Sequence, residues 1–320
     1  MTTSQSNRSV TRRALLQRAA GVAAGAAAAT AVPLCHAAPR EGQTVIKRGR
    51  VKQSMAFWCF NTAGEKWTLE QQARVAHRLG CRSIELVETK DFDVLLKNNL
   101  VCAITPNGMP GEPFVKGLNN LQYHDEIIAR TRKTIDTVAA AGFPTVIAFT
   151  GYKWRDATDP TSGEIPPDEG ARNCVKGLKE LAPYAERKNV TICMEMLNTR
   201  DDSHPMKGHP GYQGDDMDYV ADIIKQVGSP RVKILFDIYH LQVMNGDVIR
   251  RINQYADLIG HVHTAGNPGR RELDDDQEIN YAACIRALMK TGYDGYVGHE
   301  FIPTGDPMAG LVHAVTVCDV

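Results

Sequence analysis

The sequence predicts an α/β protein built as a single (β/α)8 TIM barrel, and two observations lead to this prediction. Short apolar runs of strand length alternate eight times along the chain with segments of helical periodicity. The long polar loops all follow predicted strands. Alternation of this kind gives parallel strands joined by helical crossovers, and eight such units close into a barrel whose loops after the strands build the functional face.

The individual elements are predicted from local signals. The first long helix begins at the capping box Thr68-Leu-Glu-Gln71, and a later helix over 123–141 ends at Gly142. The strands are predicted at 55–61, 83–87, 101–105, 144–149, 190–194, 232–236, 258–263 and 295–299. The helices are predicted at 69–79, 91–97, 123–141, 168–187, 217–226, 247–255, 281–290 and from 307 onward, with long loops at 106–120, 151–167, 198–215 and 266–280.

Net charge argues against one class of binding partner, and a missing motif argues against one alternative fold. The chain has 320 residues with 37 basic and 37 acidic side chains, and 43% of its residues are hydrophobic. A net charge near zero argues against a general nucleic-acid binder. An open doubly wound sheet is the alternative architecture, and it is disfavoured because no Gly-rich phosphate loop follows the first predicted strand.

The first 37 residues predict a twin-arginine signal peptide. Thr11-Arg-Arg-Ala-Leu-Leu-Gln17 resembles the export motif, an Ala-rich segment without acids follows, and Cys35-His-Ala37 offers a small-residue cleavage site. A surface or membrane-anchoring helix and a lipidated Cys35 are the alternatives. Cleavage would leave 320 − 37 = 283 residues, with 38–53 as an extended lead-in and 54–320 as the barrel. We therefore expect a periplasmic or otherwise exported protein that engages the twin-arginine translocation machinery.

The cysteines do not predict a disulfide scaffold. Eight are present, and none forms a Cys-x-x-Cys pair or a zinc-ribbon spacing. Buried free cysteine behaves as a small apolar residue, so most of them are expected in the core.

Side chains of the kind that bind metals stand at the ends of four predicted strands. Glu195 follows Thr-Ile-Cys-Met, Asp237 follows Val232-Lys-Ile-Leu-Phe, His263 ends its strand, and Glu300 follows Tyr-Val-Gly-His. The carboxyl ends of barrel strands meet on one face, so these side chains are expected to share one site. Three carboxylates and one imidazole suit Mn²⁺ or Mg²⁺, with Co²⁺ or Zn²⁺ as alternatives.

Each of these residues also has a structural interpretation that needs no metal. Glu195 can form a salt bridge at the barrel mouth, and Glu300 can pair with Arg270. His263 can be a neutral core histidine, with His261 on the same strand face.

The sequence around these positions resembles the hydroxypyruvate isomerase group of the xylose isomerase-like barrels. The resemblance is strong from about Val190 to Pro303, and weaker from Met55 onward. It rests on the segments Met194-Glu-Met-Leu-Asn-Thr199, Phe236-Asp-Ile-Tyr-His-Leu-Gln242, Gly260-His-Val-His263, Asn267-Pro-Gly-Arg270, Gln277-Glu-Ile-Asn-Tyr281 and Gly295-Tyr-Val-Gly-His-Glu300.

This resemblance implies a metal-dependent sugar or hydroxy-keto acid isomerase that works through an enediolate. It implies that Glu195 and Glu300 are both metal ligands and the acid–base pair, and that His240 binds a substrate oxygen. His263 is typical of the ketose 3-epimerase branch, whereas hydroxypyruvate isomerases commonly have Gln there.

Three further residues are expected at the substrate. The resemblance implies that Arg270 holds an anionic or hydroxyl-rich end of it, unless it is a solvent-exposed loop arginine. Glu278 is expected to orient Arg270 or a ligand histidine. Trp58 stands near the predicted barrel mouth, where it stacks on a sugar or packs as part of the core or a lid.

Other functions remain open from the sequence. A periplasmic keto-sugar lyase or hydratase needs the same metal chemistry, and a non-catalytic sugar-binding barrel keeps the fold without turnover. The DNA-repair endonuclease branch of the same superfamily is disfavoured by the neutral charge. Barrels of this group often associate, so a homo-oligomer is an additional expectation.

Overall fold

A curled sheet of seven parallel strands forms the centre of the protein in the computed structural model, which describes residues 44–62 and 65–320. Its strands lie in the order β2-β1-β9-β8-β7-β6-β3. Their bounds are β1 Lys52–Ala56, β2 Ser83–Glu85, β3 Thr145–Phe149, β6 Thr191–Glu195, β7 Val232–Asp237, β8 Ile259–Thr264 and β9 Tyr296–His299.

An irregular segment at 101–105 fills the gap between the two edge strands of this sheet. Val101 pairs in parallel with Ser83, and Thr105 pairs in parallel with Val146. The segment stands where the third strand is predicted, and it closes the sheet into a barrel. The predicted (β/α)8 fold is therefore confirmed.

Helices follow the strands and cover the barrel. They are α1 Phe57–Thr62, α2 Leu69–Leu79, α3 Phe92–Lys97, α4 His124–Ala140, α5 Pro167–Lys188, α6 Met217–Val227, α7 Ile238–Met244, α8 Val248–Gln254, α9 Tyr281–Lys290 and α10 Pro307–Cys318. The capping box predicted for α2 is present, because the Gln71 N–H donates to Thr68 Oγ1 and the Thr68 N–H donates to Gln71 Oε1. None of the described helices is both long and apolar enough to cross a membrane.

The first predicted strand is wrong at both ends. β1 begins at Lys52 and stops at Ala56, and the chain then turns at once into α1, which buries Cys59 and Phe60. The run from 55 to 61 is apolar almost throughout, and a short apolar run of this kind does not distinguish a buried strand from a buried helix. Helix α7 was also missed, because Ile238–Met244 is a short segment that follows β7 directly and contains neither Gly nor Pro to mark the change of element.

The predicted loop at 151–167 contains an antiparallel hairpin. Its strands are β4 Trp154–Asp156 and β5 Asp159–Glu164, with Trp154 opposite Glu164. β5 reads Asp-Pro-Thr-Ser-Gly-Glu and is mostly exposed. A strand without a buried face has no apolar alternation, so the sequence carried no signal for it.

The apolar core has two parts. The larger part packs the helices against the outside of the sheet. The smaller part is a separate cluster that includes alternate residues of β3, Ile147 and Phe149. The seven cysteines among the described residues are all free and buried, as predicted for core residues. The smaller cluster comprises Ile104, Phe114, Ile147, Phe149, Cys193, Leu197, Tyr212 and Leu235.

The segment that precedes β1 is hydrogen-bonded to Asp319, near the end of the chain. The Asp319 carboxylate accepts hydrogen bonds from the backbone N–H groups of Lys47, Arg48 and Gly49, at 2.6, 2.7 and 2.8 Å. The predicted signal peptide, 1–37, lies outside the described residues.

Candidate metal centre

The four residues predicted as metal ligands lie together at one end of the barrel. Glu195 and Asp237 end β6 and β7, His263 stands near the end of β8, and Glu300 follows β9 directly. One ligand atom from each of the four lies within 4.8 Å of the others. All four side chains are buried. They meet because β6, β7, β8 and β9 are consecutive neighbours in the sheet.

The donor set fits a divalent cation. His263 Nδ1 lies 2.8 Å from Glu300 Oε2 and 3.5 Å from Glu195 Oε1. Among the described residues, Glu195 Oε1 and Asp237 Oδ2 have no hydrogen-bond partner although both are buried. A buried carboxylate oxygen without a partner is costly, and oxygen ligands with one imidazole are what Mn²⁺, Mg²⁺ or Zn²⁺ accept.

A buried arginine lies against two of these carboxylates. Arg270 Nη2 is 2.5 Å from Glu300 Oε2 and 3.7 Å from Asp237 Oδ2. Its Nη1 donates to the Met206 carbonyl at 2.6 Å. The pairing of Glu300 with Arg270 that the sequence left open is therefore present. The interpretation of Arg270 as a solvent-exposed loop arginine is wrong, because its side chain is buried.

The two glutamates differ in how readily they ionise. Burial raises the pKa of Glu195 to about 7, although contact with His263 opposes this shift. Burial also disfavours the charged form of Glu300, but Arg270 and His263 outweigh it and lower the pKa of that carboxyl to about 2. Two carboxyl groups whose pKa values are pushed apart are the usual basis of separate acid and base roles.

His240 is held as a neutral ring that faces the same carboxylates. Its Nδ1 accepts a hydrogen bond from the Asn198 backbone N–H at 3.0 Å, so the hydrogen of the neutral ring is on Nε2. Nε2 lies 3.8 Å from Asp237 Oδ2. Burial and the positive charge of Arg270 keep the pKa of His240 well below its ordinary value. The ring therefore presents one N–H donor to the centre.

Trp58 and Glu278 occupy different places relative to this centre. Trp58 Nε1 donates to Glu300 Oε1 at 2.7 Å, and the Arg270 guanidinium lies 5.3 Å from the Trp58 ring. Glu278 is exposed and accepts from Gln242 and Asn267, at 3.1 and 2.6 Å. The recorded hydrogen bonds of Glu278 thus involve neither Arg270 nor a ligand histidine, and its role at a substrate stays a prediction.

A cavity of about 190 Å³ opens onto the centre. Its polar wall includes Trp58, Glu195, Arg270 and Glu300, and most of its remaining wall is apolar. The apolar lining includes Leu86, Met109, Pro113, Phe114, Ile147, Phe149, Leu197 and Met206. His209 also lines the cavity, and burial lowers its pKa to about 3, so this ring is uncharged at neutral pH. The cavity thus joins one strongly polar wall to an apolar one.

One buried acid beside the centre was not among the predicted site residues. Glu85 ends β2, and its Oε1 lies 3.0 Å from His263 Nε2 while its Oε2 lies 3.1 Å from His261 Nε2. Burial opposes its ionisation, but His261 and His263 outweigh burial and lower its pKa. A signal was available in the sequence, because Ser83-Ile-Glu85 places an acid within a predicted buried strand.

Comparisons with known proteins agree with this architecture. A family model described as xylose isomerase-like TIM barrel matches residues 73–317. An AP endonuclease of family 2 from Brucella melitensis has a similar structure, with a TM-score of 0.67 at 22% identity over 81% of this chain and 96% of that chain. At this identity the likeness shows a shared fold.

Two curated proteins are similar in sequence. The 2-oxo-tetronate isomerase of Cupriavidus necator is 33% identical over 169 residues, which cover 52% of this chain and 62% of that protein. The hydroxypyruvate isomerase of Escherichia coli K12 is 28% identical over 242 residues, which cover 74% of this chain and 88% of that protein. The match to the Cupriavidus protein thus spans less than two thirds of its length.

Proposed function

Because the chain belongs to the xylose isomerase-like TIM barrel family, we propose that it is a divalent-metal-dependent isomerase or epimerase of a small sugar or hydroxy-keto acid. One observation carries this proposal. Four buried side chains of metal-ligand type, two of them glutamates, lie in one cluster, and among the described residues two of their carboxylate oxygens have no hydrogen-bond partner.

The metal would be held by Glu195, Asp237, Glu300 and the Nδ1 atom of His263. When bound, a divalent cation there supplies Lewis-acid polarisation of a substrate carbonyl and stabilises the negative charge that develops on it. The oxygen-rich donor set favours Mn²⁺ or Mg²⁺, and the imidazole leaves Co²⁺ or Zn²⁺ as alternatives.

The protein's own side chains would move the proton. Burial favours the protonated form of Glu195 in the metal-free site, so this carboxylate is the more basic of the two and is suited to take a proton from the carbon beside the carbonyl. Glu300 stands on the other side of the cluster as the second carboxylate. Hydrogen bonds from Trp58 and Arg270 stabilise its negative charge.

Two donors would orient the substrate. The Nε2–H of His240 is available for a substrate oxygen, because among the described residues it has no hydrogen-bond partner. Arg270 lines the cavity and brings a fork of donors for an anionic or hydroxyl-rich end. Trp58 contributes an aromatic wall beside the same carboxylates.

The class of substrate is supported by the names of the relatives and by one ligand. The two similar curated proteins are named as isomerases of 2-oxo-tetronate and hydroxypyruvate, both small hydroxy-keto acids. His263 is the residue that, by resemblance, favours epimerisation of a ketose. The proposal therefore includes both reactions, which share one proton abstraction beside a carbonyl.

A product screen tests this proposal. The purified chain, supplied with Mn²⁺, is incubated with a panel of ketoses and hydroxy-keto acids, and the products are identified by NMR. An isomer or epimer of unchanged composition is the expected product. A product that has lost water or an alcohol would assign the chain to the lyases, and binding without turnover across the panel would make it a sugar-binding protein.

We also propose that the chain is exported through the twin-arginine machinery to the periplasm or beyond. The support is the Arg12-Arg13 pair, the acid-free Ala-rich segment after it and the small-residue site at Ala37. Replacing both arginines by lysine in the full chain should leave the protein in the cytoplasm of a bacterial host, as measured by cell fractionation. Unchanged export of this variant would contradict the proposal.

A further inference from the structure

A buried acid crosses the inside of the barrel beneath the proposed metal centre. Glu85 belongs to β2 and contacts β8, yet β1 and β9 lie between these two strands in the sheet. The contact therefore passes through the barrel interior. Its Oε1 and Oε2 lie 3.0 Å from His263 Nε2 and 3.1 Å from His261 Nε2, in ion-pair contacts without hydrogen-bond geometry, and Glu85 and the two histidines are almost completely buried.

The chemistry of these groups favours one placement of their hydrogen atoms. An ionised carboxylate accepts hydrogen bonds and donates none, so a hydrogen on Nε2 makes the contact of each ring with Glu85 favourable. The other nitrogen of His263, Nδ1, lies 2.8 Å from Glu300 Oε2 and 3.5 Å from Glu195 Oε1. One His263 nitrogen therefore faces the acid beneath, and the other faces the proposed ligands.

A glycine on the next strand keeps the space that Glu85 needs. Gly298 lies on β9 and pairs in register with His263 on β8. A Cβ atom placed on Gly298 would lie 1.7 Å from Glu85 Oε1 and 2.5 Å from its carboxyl carbon. Any other residue at this position would push the carboxylate away from His263. The absence of a side chain at Gly298 on β9 thus leaves room for the Glu85 side chain from β2.

We propose that Glu85 is a positioning residue of the metal centre. It fixes the tautomer and orientation of the His263 ring so that Nδ1 is presented to the metal, and Gly298 makes room for it. Partners of this kind behind a ligand histidine tune both ring orientation and basicity. This inference rests on the proposed metal site, and it adds a residue that does not itself touch the metal or the substrate.

Metal affinity measured by calorimetry is the first test. Glu85→Gln keeps the shape of the side chain but offers one oxygen in place of two, so it cannot accept from both rings. Loss of such a partner typically weakens metal binding about 10- to 100-fold, and we expect a loss in this range. Equal affinity of wild type and variant would overturn the inference.

Glu272→Gln is the matched control. Glu272 is also a buried acid, but its carboxylate accepts from Thr304 and Gly305 rather than facing a histidine. This variant should lose stability without losing metal affinity. An equal loss of affinity in both variants would mean that Glu85 acts through general stability, and would overturn the inference.

The His263 ring itself can be observed by ¹⁵N NMR of the zinc-loaded protein. The wild type should show a hydrogen on Nε2 and a metal-bound Nδ1, and this measurement needs no variant to fold. A ring bound to zinc through Nε2 would overturn the inference.

Gly298→Ala provides a second perturbation with Glu85 intact. It should reproduce the loss of affinity seen in Glu85→Gln, and retention of wild-type affinity would count against the inference. If the wild-type chain binds no metal at all, the proposed function fails first, and that outcome is distinct from a metal-binding wild type whose Glu85→Gln variant binds equally well.

Discussion

At the scale of single residues, the centre depends on how each charge is compensated. Glu195 is buried with one unpartnered oxygen, and burial raises its pKa to about 7. Glu300 is buried as deeply, but Arg270 and Trp58 contact it at 2.5 and 2.7 Å. The pKa of Glu300 falls because Arg270, His263 and Trp58 together outweigh the cost of removing its charge from water. The pKa values of the two glutamates therefore differ because of their neighbouring side chains, and not because of how deeply they are buried.

The hydrogen bond from Trp58 gives the first residue-scale prediction. Trp58→Phe keeps an aromatic wall but removes the donor to Glu300 Oε1. The donor helps to hold Glu300 ionised and in place, so kcat/KM should fall, by about tenfold for each ~1.4 kcal/mol of this contact that is lost from the transition state. Trp67→Phe is the control, because Trp67 donates to Glu65 and should leave the rate unchanged. Equal rates for wild type and Trp58→Phe would contradict the prediction.

At the scale of elements, one residue joins the site to a helix. Asp237 ends β7 and is the N-cap of α7, where its Oδ1 accepts from the His240 N–H at 3.0 Å. Its other oxygen, Oδ2, faces the centre without a hydrogen-bond partner among the described residues. The same carboxylate thus positions His240 and supplies a proposed ligand.

The two roles of Asp237 can be separated by substitution. Asp237→Asn keeps an oxygen for the cap, so the metal-free protein should unfold at nearly the wild-type temperature while metal affinity falls. Asp237→Ala should lose the cap as well, at an additional cost of about 1 kcal/mol in the free energy of unfolding. Thermal unfolding with and without metal distinguishes the variants. Equal stability of the Asn and Ala variants would show that the cap contributes nothing.

At the scale of the whole molecule, the metal should stabilise the folded chain. The four ligands lie at or directly after the ends of four different strands, so they are brought together only in the folded state. A ligand that binds only the folded state at 100 times its dissociation constant adds about 2.7 kcal/mol of stability. Addition of a chelator should therefore lower the unfolding temperature, and excess Mn²⁺ should restore it. A transition unaffected by chelator and by metal would contradict the metal site.

The contact between the two ends of the described chain gives a pH prediction. Burial opposes ionisation of Asp319, but the N–H groups of Arg48, Lys47 and Gly49 outweigh it and lower its pKa below the ordinary 3.8. A lowered pKa means that the stabilisation is present above about pH 4 and is lost as the pH falls through the folded-state value.

Asp319→Asn tests this contact. It should cost about 1 kcal/mol at pH 7, since the site is partly exposed and solvent screens it. The difference from wild type should shrink as the pH falls below 4 through the folded-state pKa, as measured by denaturant unfolding at pH 7 and across the acid range. A difference that does not depend on pH would contradict the electrostatic explanation.

The sequence predicted most of this fold, because strand and helix periods are local properties. Eight alternations sufficed for the barrel, and acids at the ends of consecutive strands pointed to one cluster. The boundary between β1 and α1 was misplaced because residues 55–61 are almost all apolar, a pattern that fits a buried strand and a buried helix equally well. The hairpin after β3 was missed because it is exposed and has no buried face that would give an alternating pattern.

Contacts between distant strands could not be predicted in the same way. Glu85 meets His263 across the barrel interior, and this contact depends on the closed sheet and on the missing side chain of Gly298. The pairing of Arg270 with Glu300 was open from the sequence, because the chain position of a loop arginine does not fix whether its side chain folds inward.

Exchange with heavy water tests the central claim most directly, namely that a metal and two glutamates at this centre move a proton beside a carbonyl. The substrate found by the product screen is incubated in heavy water with the Mn²⁺-loaded protein, and deuterium entry beside the carbonyl is followed by NMR. We predict exchange that needs metal and falls about 10²- to 10⁴-fold in Glu195→Gln and in Glu300→Gln. Exchange that continues unchanged in both variants, or after removal of the metal, would contradict the account.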